Sequence, residues 1–384
     1  MTTTTTTLIQ PLALARSLRS VIELNASEGD RLGTMAPDVV AAIRESGLFD
    51  VFLPEEVGGQ GSDLMSFFEV IEELSRSDAS TGNACLANML SATYFASALG
   101  EDAVAEVFKG TGPARTVTAA SLDGPGNVKK VEGGYLVSVD KTYFASGSGH
   151  ADWIGAGGFC EFDDGTIDRV IYLVPRANVE FLGDWDVFGL SGTGSFSFKV
   201  PEQFVAEEYT WRPSQWTPLR GQTDLRVGLS FMAVTGHVGV GLGTARRSLE
   251  ELVKAMDSSK PRPGGVPAHR DSDVFLYQFA EIDAKYRSVR AYAIEGIRAA
   301  VETVRSGQPL TPEQDQRAIQ VNTYAAHIAE EVAKFAFVWS GSAGLSGKSH
   351  LGRNLRDALV ENIHVVADPH TLTASARTLM DSYR

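Results

Sequence analysis

One short stretch of the sequence combines residues that suit both a ligand site and a tight turn. Residues 141–158 read KTYFASGSGHADWIGAGG, in which two aromatic residues precede a run of small hydroxyl and glycine residues. Small residues leave backbone N–H and hydroxyl groups accessible, so a flat ligand could lie directly against the chain. An ordinary tight turn uses the same residue types. On its own, the stretch therefore leaves both interpretations open.

The usual sequence motifs of metal, phosphate and nicotinamide sites fail on their spacing. No pair among the seven histidines has the spacing of metal ligands, and the sequence contains no Cys-x-x-Cys. GSAGLSGKS (341–349) has five residues between its framing glycines, where a phosphate-binding loop has four. GVGLG (239–243) lacks the third glycine of the dinucleotide fingerprint, and no strand precedes it. We therefore expect no metal site and no nicotinamide site.

Composition narrows the possible partners and the compartment. The chain has 384 residues, 43% of them hydrophobic and 21% charged, which predicts a globular protein of two or three domains. A net charge of −14 argues against nucleic acid or an anionic membrane as a partner. Cys85 and Cys160 lie far apart in apolar surroundings, so we expect buried free thiols and a cytoplasmic protein. The start, MTTTTTTLIQPLALARS, has no basic region and is predicted to be a polar tail rather than a signal peptide.

One uncharged stretch has the length of a membrane span. Residues 227–245 read VGLSFMAVTGHVGVGLGTA and contain no Asp, Glu, Lys or Arg. Five glycines, a histidine and several hydroxyl residues make the stretch poorly apolar. We therefore expect a buried, closely packed helix and no membrane partner.

Apolar periodicity divides the chain into three zones. In the first zone, Phe67, Phe68, Ile71 and Leu74 share one side of a helix that Asp63 can cap. In the second zone, apolar and polar residues alternate between glycine-rich turns, which is typical of short strands. In the third zone, apolar residues recur at the 4-3-4-3-4 spacing of a bundle seam. The predicted domains are a helical domain (1–115), a small β-barrel domain (116–212) and a four-helix bundle (213–384).

This order of domains and three ordered motifs resemble the acyl-CoA dehydrogenase family. LFDVFLPEEVGGQGSDLMSFFEVIEELSRSDASTG (48–82) resembles its first-domain signature, and WDVFGLSGTGSFSFKVPEQFVAEE (185–208) resembles its β-domain signature. LGRNLRDA (351–358) resembles the Arg-Asp helix near the family's C-terminal end. The resemblance covers nearly the whole chain. It implies an α+β fold, a flavin between the β domain and the bundle, and a homotetramer.

The dehydrogenase branch of this family needs a glutamate base, because a proton must leave the acyl thioester as hydride reaches the flavin. In this sequence Val365 stands where that glutamate usually lies, and the alternative position falls near Ala233. Neither side chain can accept a proton. KPRPGGVPAH (260–269) also replaces the family's Arg-x-x-Phe-Gly loop, which holds the distal half of FAD.

The flavin-dependent monooxygenase branch resembles the sequence more closely. FASGSGHADW (144–153) is similar to a Phe-(Ala/Ser)-Ser-Gly-x-x-His-x-x-Trp segment of that branch, and His364 follows Arg356 at the spacing of its active-site histidine. The resemblance implies reduced FMN or FAD as a co-substrate, supplied by a separate flavin reductase, and O2 activated as a C4a-peroxyflavin. The small-molecule substrate would be an aromatic compound, an amine or an amino sugar. The alternatives are a dehydrogenase of CoA thioesters with an unrecognised base, and a catalytically silent family member.

The resemblance assigns roles to individual residues. Near the flavin N5 we expect the hydroxyl of Ser146 or Ser148, with backbone N–H groups around Gly147 at the ring's carbonyl edge. Tyr143 or Phe144 would pack on the ring face. The further expected flavin neighbours are Thr193 and Ser195.

Two more residues are expected at the substrate. His364 would deprotonate the substrate or protonate the peroxide. Asn88 occupies the position where several members carry a second active-site histidine, and an asparagine cannot shuttle a proton. His150 would cap the turn or bond to Asp152. Arg356-Asp357 resembles the ion-paired helix of the family and is expected to be structural.

Overall fold

In the computed structural model the described residues are 10–257, 259–261, 267–346 and 349–384. The predicted polar tail at residues 1–9 lies outside them, as does part of the loop at 260–273. The first zone is helical, as its periodicity predicts. Its helices are α1 (Pro11–Ser17), α2 (Arg19–Leu32), α3 (Pro37–Ser46), α4 (Leu64–Ser77), α5 (Ala79–Ala98) and α6 (Glu101–Val107).

Two of these helices begin at aspartate caps and carry the packing of the zone. Asp63 accepts a hydrogen bond from the backbone N–H of Ser66 (2.8 Å) at the start of α4, which confirms the predicted cap. Asp78 does the same for Thr81 at the start of α5 (2.9 Å). All but two of the 20 residues of α5 are buried, because this helix lacks charged residues and is packed on every side. Helix α5 is therefore the central element of the fold.

The middle zone forms one seven-stranded sheet. The strand order is β5-β6-β2-β1-β3-β4-β7, and the β1–β3 pair is parallel. No pairing of the edge strands β5 and β7 closes the sheet within the described ranges, so the predicted barrel is an open sheet. The strands are β1 (Thr118–Val131), β2 (Gly134–Val139), β3 (Trp153–Glu161), β4 (Ile167–Pro175), β5 (Glu180–Phe181), β6 (Phe198–Ala206) and β7 (Thr210–Trp211).

The last zone has three long helices and two short ones in the described residues, where the sequence predicts four long ones. They are α7 (Leu229–Asp257), α8 (Asp273–Arg305), α9 (Pro312–Trp339), α10 (His350–Glu361) and α11 (His370–Asp381). The short helices α10 and α11 both pack on α9 and together take the place of the fourth long helix. Thr311 and Gln314 form a capping box at the start of α9. The division of the chain at 115/116 and 212/213 remains a prediction.

The uncharged stretch at 227–245 lies within α7, apart from its first two residues. A Cβ atom on Gly243 would lie 2.3 Å from the carbonyl oxygen of Glu72, and one on Gly239 would lie 3.2 Å from Ile71. The glycines therefore allow α7 to approach α4 closely, as predicted. None of the described helices is long and apolar enough to span a membrane. Cys85 and Cys160 are free and buried, also as predicted.

Candidate flavin site and an adjacent histidine cluster

Asn88 of α5 holds the loop between β2 and β3 in place through hydrogen bonds to the backbone. The Asn88 amide nitrogen donates to the carbonyl oxygens of Thr118 (2.8 Å) and Gly147 (3.4 Å). Gly147 has a φ of +74°, and a Cβ atom there would lie 2.5 Å from the Asn88 side chain. Asn88 is fully buried beneath the loop. The residue expected in the substrate pocket is therefore a support of the predicted flavin loop.

His150 completes this support. Its Nε2 lies 2.8 Å from Asn88 Oδ1, and because an amide oxygen only accepts, the histidine donates. The expected bond to Asp152 is wrong, since Asp152 pairs with Arg44 (2.9 Å). Burial, with a smaller contribution from the nearby charges of Arg44 and Arg176, lowers the pKa of His150 to about 3. His150 is therefore a neutral structural residue at ordinary pH.

The predicted hydroxyl residues lie together where this loop meets the loop before β6. Gly147 N–H donates to Thr193 O (3.0 Å), and the buried hydroxyl of Ser148 donates to Gly194 O (3.0 Å). Ser195 Oγ donates to Ser146 Oγ (3.0 Å) and lies 2.7 Å from Thr193 Oγ1. Because Ser195 is the donor to Ser146, Thr193 shares its proton between Ser195 Oγ and the carbonyl oxygen of Leu190 (2.8 Å), and the proton of Ser146 is not used in this chain. Ser146 can therefore donate to a ligand, whereas the hydroxyl of Ser148 is already used.

Exposed aromatic side chains, here called the aromatic wall, lie in the two loops that carry Ser146 and Thr193. Tyr143 is 66% exposed, Phe144 53% and Phe188 64%. The ring of Phe144 meets that of Trp185 edge to face, with centroids 4.9 Å apart. Exposed aromatic surface of this kind marks a binding site, because burying it against a ligand is favourable. A flat ring stacked on this wall could accept a hydrogen bond from Ser146, so these residues fit a flavin.

A second cluster lies where α5, α7 and α10 meet. His237 Nδ1 lies 2.6 Å from Glu361 Oε1, and the amide nitrogen of Asn83 donates to Glu361 Oε2 (3.4 Å). The predicted catalytic residue His364 packs its ring on that of His237, with centroids 4.4 Å apart. His237, Glu361 and Asn83 were missed by sequence reasoning. Two of them lie close to positions that the family resemblance singles out: His237 follows Ala233 by four residues on α7, and Glu361 precedes Val365 by four.

Glu361 is buried, whereas His364 lies at the exposed edge of this cluster. Although burial raises the pKa of Glu361, the adjacent His237 and their hydrogen bond outweigh it, and the net pKa is lowered. The surrounding protein lowers the pKa of His364, although its ring still reaches solvent. The neighbouring His237 also lowers that pKa, and Glu361 partly offsets the two effects. Glu361 is therefore ionised and His364 is neutral near neutral pH.

Helix α5 connects the histidine cluster with the predicted flavin loops. A Cβ atom on Gly192, beside Thr193, would lie 3.1 Å from Ser80 Cβ. Ser80 and Asn83 are three residues apart on α5, a rise of about 4.5 Å. Within the described residues the two clusters share no hydrogen bond. The histidine cluster therefore lies near the loop that carries Thr193, on the side of the helical bundle.

Helix α10 fixes the flavin loops from the other direction. Leu190 N–H donates to Asp357 Oδ1 (2.7 Å), and Arg353 Nε donates to Asp30 Oδ2 (2.8 Å). The ion-paired arginine of this helix is the buried Arg353, whereas Arg356 donates to the Gly352 carbonyl oxygen (3.3 Å). Arg353, Asp357 and Glu361 are spaced by four residues, so one buried face of α10 carries all three charged side chains.

The described residues contain no group of three or more His, Cys, Asp or Glu side chains that could hold a metal ion. Family models match both helical zones. Residues 13–108 match "Acyl-CoA dehydrogenase, N-terminal domain" and residues 235–369 match "Acyl-CoA dehydrogenase, C-terminal domain". The chain belongs to the acyl-CoA dehydrogenase family.

Relatives with known activity place the chain within the monooxygenase branch. It is 30% identical to the indole-3-acetate monooxygenase of Pseudomonas putida over 341 residues, 88% of this chain and 85% of that protein. It is 25% identical to the flavin-dependent monooxygenase, oxygenase subunit HsaA, of Mycobacterium tuberculosis over 93% of this chain and 92% of that protein. The protein is thus a flavin-dependent oxidoreductase of the monooxygenase type.

Solved structures share the complete fold. The crystal structure of the HsaA monooxygenase from M. tuberculosis superposes with a TM-score of 0.88 at 22% identity, covering 97% of both chains. The structure of XiaF from Streptomyces sp., in complex with FADH2 and glycerol, superposes with a TM-score of 0.87 at 19% identity, covering 96% of this chain and 95% of that one. These matches confirm the predicted arrangement of a helical domain, a central sheet and a second helical domain.

Proposed function

We propose that this protein is the oxygenase component of a two-component system that hydroxylates a small aromatic substrate of the indole or phenol class. The observation that carries the proposal is the free hydroxyl proton of Ser146 beside the exposed ring of Phe144. The activity named for the relative from Pseudomonas putida supports an aromatic substrate with an ionisable group. The name "oxygenase subunit" of another relative supports a separate flavin reductase.

Each group at the site has a defined task in this reaction. Tyr143 and Phe144 would hold the flavin ring and exclude water from one face, and Ser146 would donate to the ring edge. Bound reduced flavin supplies the two electrons of the reaction. One oxygen atom of O2 is inserted into a substrate C–H bond, and the other leaves as water. The histidine cluster holds and moves the protons of the substrate.

The structure argues against proton abstraction from a CoA thioester by Glu361. Both carboxylate oxygens already accept hydrogen bonds, from His237 and Asn83, and the pKa of Glu361 is lowered. A low pKa and full hydrogen bonding make a carboxylate a poor base.

A direct test combines reduced flavin, isotopic oxygen and candidate substrates. The protein is mixed with reduced FMN or reduced FAD, 18O2 and one compound: indole-3-acetate, indole or phenol. We expect a product with one 18O atom, and tighter binding of the reduced than of the oxidised flavin. Bleaching of oxidised-flavin protein by butyryl-CoA, without 18O in any aromatic product, would instead establish a dehydrogenase. Absence of binding by either flavin would establish a silent member.

We further infer a cytoplasmic homotetramer. The family resemblance supports the tetramer, and the two buried free thiols support a reducing compartment. Light scattering of the purified protein should give four times the mass of one chain. A stable monomer or dimer would contradict this.

A further inference from the structure

The two histidines of the second cluster carry their protons on different ring nitrogens. An ionised carboxylate only accepts hydrogen bonds, so the 2.6 Å contact with Glu361 requires a proton on His237 Nδ1. In the neutral ring, His237 Nε2 then presents a lone pair. The backbone N–H of Val366 donates to His364 Nδ1 (3.4 Å), so the neutral His364 carries its proton on Nε2. The neutral form of His237 is therefore an acceptor at Nε2, and His364 is a donor at Nε2.

We propose that His237 is the general base of the oxygenation site, that Glu361 is its positioning residue, and that His364 is the hydrogen-bond donor beside it. This rests on the proposed function and moves the base from His364 to His237. A substrate O–H or N–H gives its proton to His237 Nε2, and the electron pair of that bond remains on the substrate ring. The ring becomes more electron-rich and more readily hydroxylated.

The surroundings of His237 support this division of tasks. The proton transfer creates an imidazolium whose positive charge faces the ionised Glu361, only 5% exposed. The lowered pKa of His364 keeps that ring neutral, so its Nε2–H remains a donor. With the ring centroids 4.4 Å apart, one substrate hydroxyl could contact both histidines.

Asn83 determines the orientation that the side-chain amide of a glutamine would adopt in place of Glu361. The Asn83 amide nitrogen donates to Glu361 Oε2, so in Glu361→Gln the new amide oxygen would turn towards Asn83 and the new NH2 group towards His237. His237 Nδ1 would then have to accept, and the ring proton would move to Nε2. We expect Glu361→Gln to invert the tautomer of His237 and remove its basic lone pair. Adding Asn83→Asp turns the glutamine around, because the introduced carboxylate must accept, and should restore the original tautomer.

Solid-state 15N NMR of histidine-labelled full-length protein reads the tautomers directly and needs neither flavin nor substrate. Signals are assigned by loss in His237→Asn and His364→Asn. We expect His237 protonated at Nδ1 and His364 at Nε2 in the wild type, inversion at His237 in Glu361→Gln, and reversal in the double variant. Equal tautomers in the wild type, or no change in Glu361→Gln, would overturn the proposal.

Turnover tests the role of the base. His237→Asn and Glu361→Gln should each lower kcat by about 100-fold with little change in flavin affinity, which is the usual scale of general base catalysis. The Asn83→Asp/Glu361→Gln double variant should recover part of the loss. His370→Gln, on the exposed start of α11, is the matched control and should leave kcat unchanged. Full turnover by His237→Asn would overturn the proposal, whereas no 18O product from the wild type would overturn the proposed function instead.

Discussion

Asn88 Oδ1 accepts a hydrogen bond from His150 Nε2 across 2.8 Å, beneath the loop that carries Ser146. The same asparagine donates to Thr118 O and Gly147 O, so one buried side chain joins helix α5, strand β1 and the predicted flavin loop. Asn88 occupies the position where several family members carry an active-site histidine, but here its side chain holds the loop in place. The groups that we propose to move protons lie in the histidine cluster, which contacts α5 at Asn83.

Asn88→Ala should destabilise the protein and weaken flavin binding. It leaves buried polar groups of Thr118 and His150 without partners, at a cost of about 3 kcal/mol in the free energy of unfolding. Urea unfolding and flavin titration measure the two effects. Asn178→Ala, which removes an exposed side-chain amide, is the control and should change neither. Normal stability and flavin affinity with abolished turnover would show that Asn88 contacts substrate after all.

Gly147→Ala should be more damaging than Gly165→Ala, although both glycines have a φ near +75° (+74° and +79°). An alanine at 165 meets no atom within 4 Å, so it carries only the backbone strain of about 1–2 kcal/mol. An alanine at 147 collides with Asn88 as well, which should add on the order of 2 kcal/mol. Urea unfolding of both variants isolates the contact with Asn88. Equal losses would mean that the loop moves away from α5 without cost.

Ser146→Ala and Ser148→Ala should separate ligand binding from loop stability. Ser146→Ala should raise the flavin dissociation constant about five-fold, equivalent to about 1 kcal/mol. The free energy of unfolding should change little, because Ser195, which donates to Ser146, can donate to Thr193 Oγ1 instead. Ser148→Ala removes a buried donor to Gly194 O and should lower stability by about 1 kcal/mol. Titration of both variants with reduced flavin, alongside urea unfolding, makes the comparison. The reverse pattern would place Ser148 at the flavin.

The sequence predicts the helices, the strands and the flavin loop because each depends on residues close together in the chain. The Asp63 cap, the small residues at 145–149 and the glycines of α7 all have local signatures. The contact between His237 and Glu361 joins residues 124 apart and arises only when α7 packs on α10. Closure of the sheet likewise depends on whether distant edge strands meet. Such contacts have no signature in spacing alone.

His150 should make the protein sensitive to acid. Its pKa of about 3 in the folded protein lies below the ordinary value near 6.5 in the unfolded chain, so the unfolded state binds the proton first. The contribution of His150 to the free energy of unfolding is complete above about pH 6.5 and is lost as pH falls towards 3. His150→Gln, which can still donate to Asn88, should flatten this part of the stability profile. An unchanged slope in urea unfolding between pH 4 and 6.5 would contradict a buried neutral histidine.

Asp357 should act in the opposite direction. Burial, and to a smaller extent the nearby Asp78, raises the pKa of Asp357 to about 8, so the folded state holds a proton that the unfolded carboxylate releases near pH 4. The resulting stability is fully present below about pH 4 and is lost progressively as pH rises to about 8. Asp357→Asn mimics the protonated acid and keeps the acceptor for Leu190 N–H, so it should match the stability of the wild type at about pH 4 and be more stable than it at pH 9. Asp357→Ala is the comparison: it removes that acceptor and leaves a cavity, and should be about 2 kcal/mol less stable than Asp357→Asn at both pH values. If Asp357→Asn were less stable than the wild type at pH 9, Asp357 would have to be an ionised partner of Arg353.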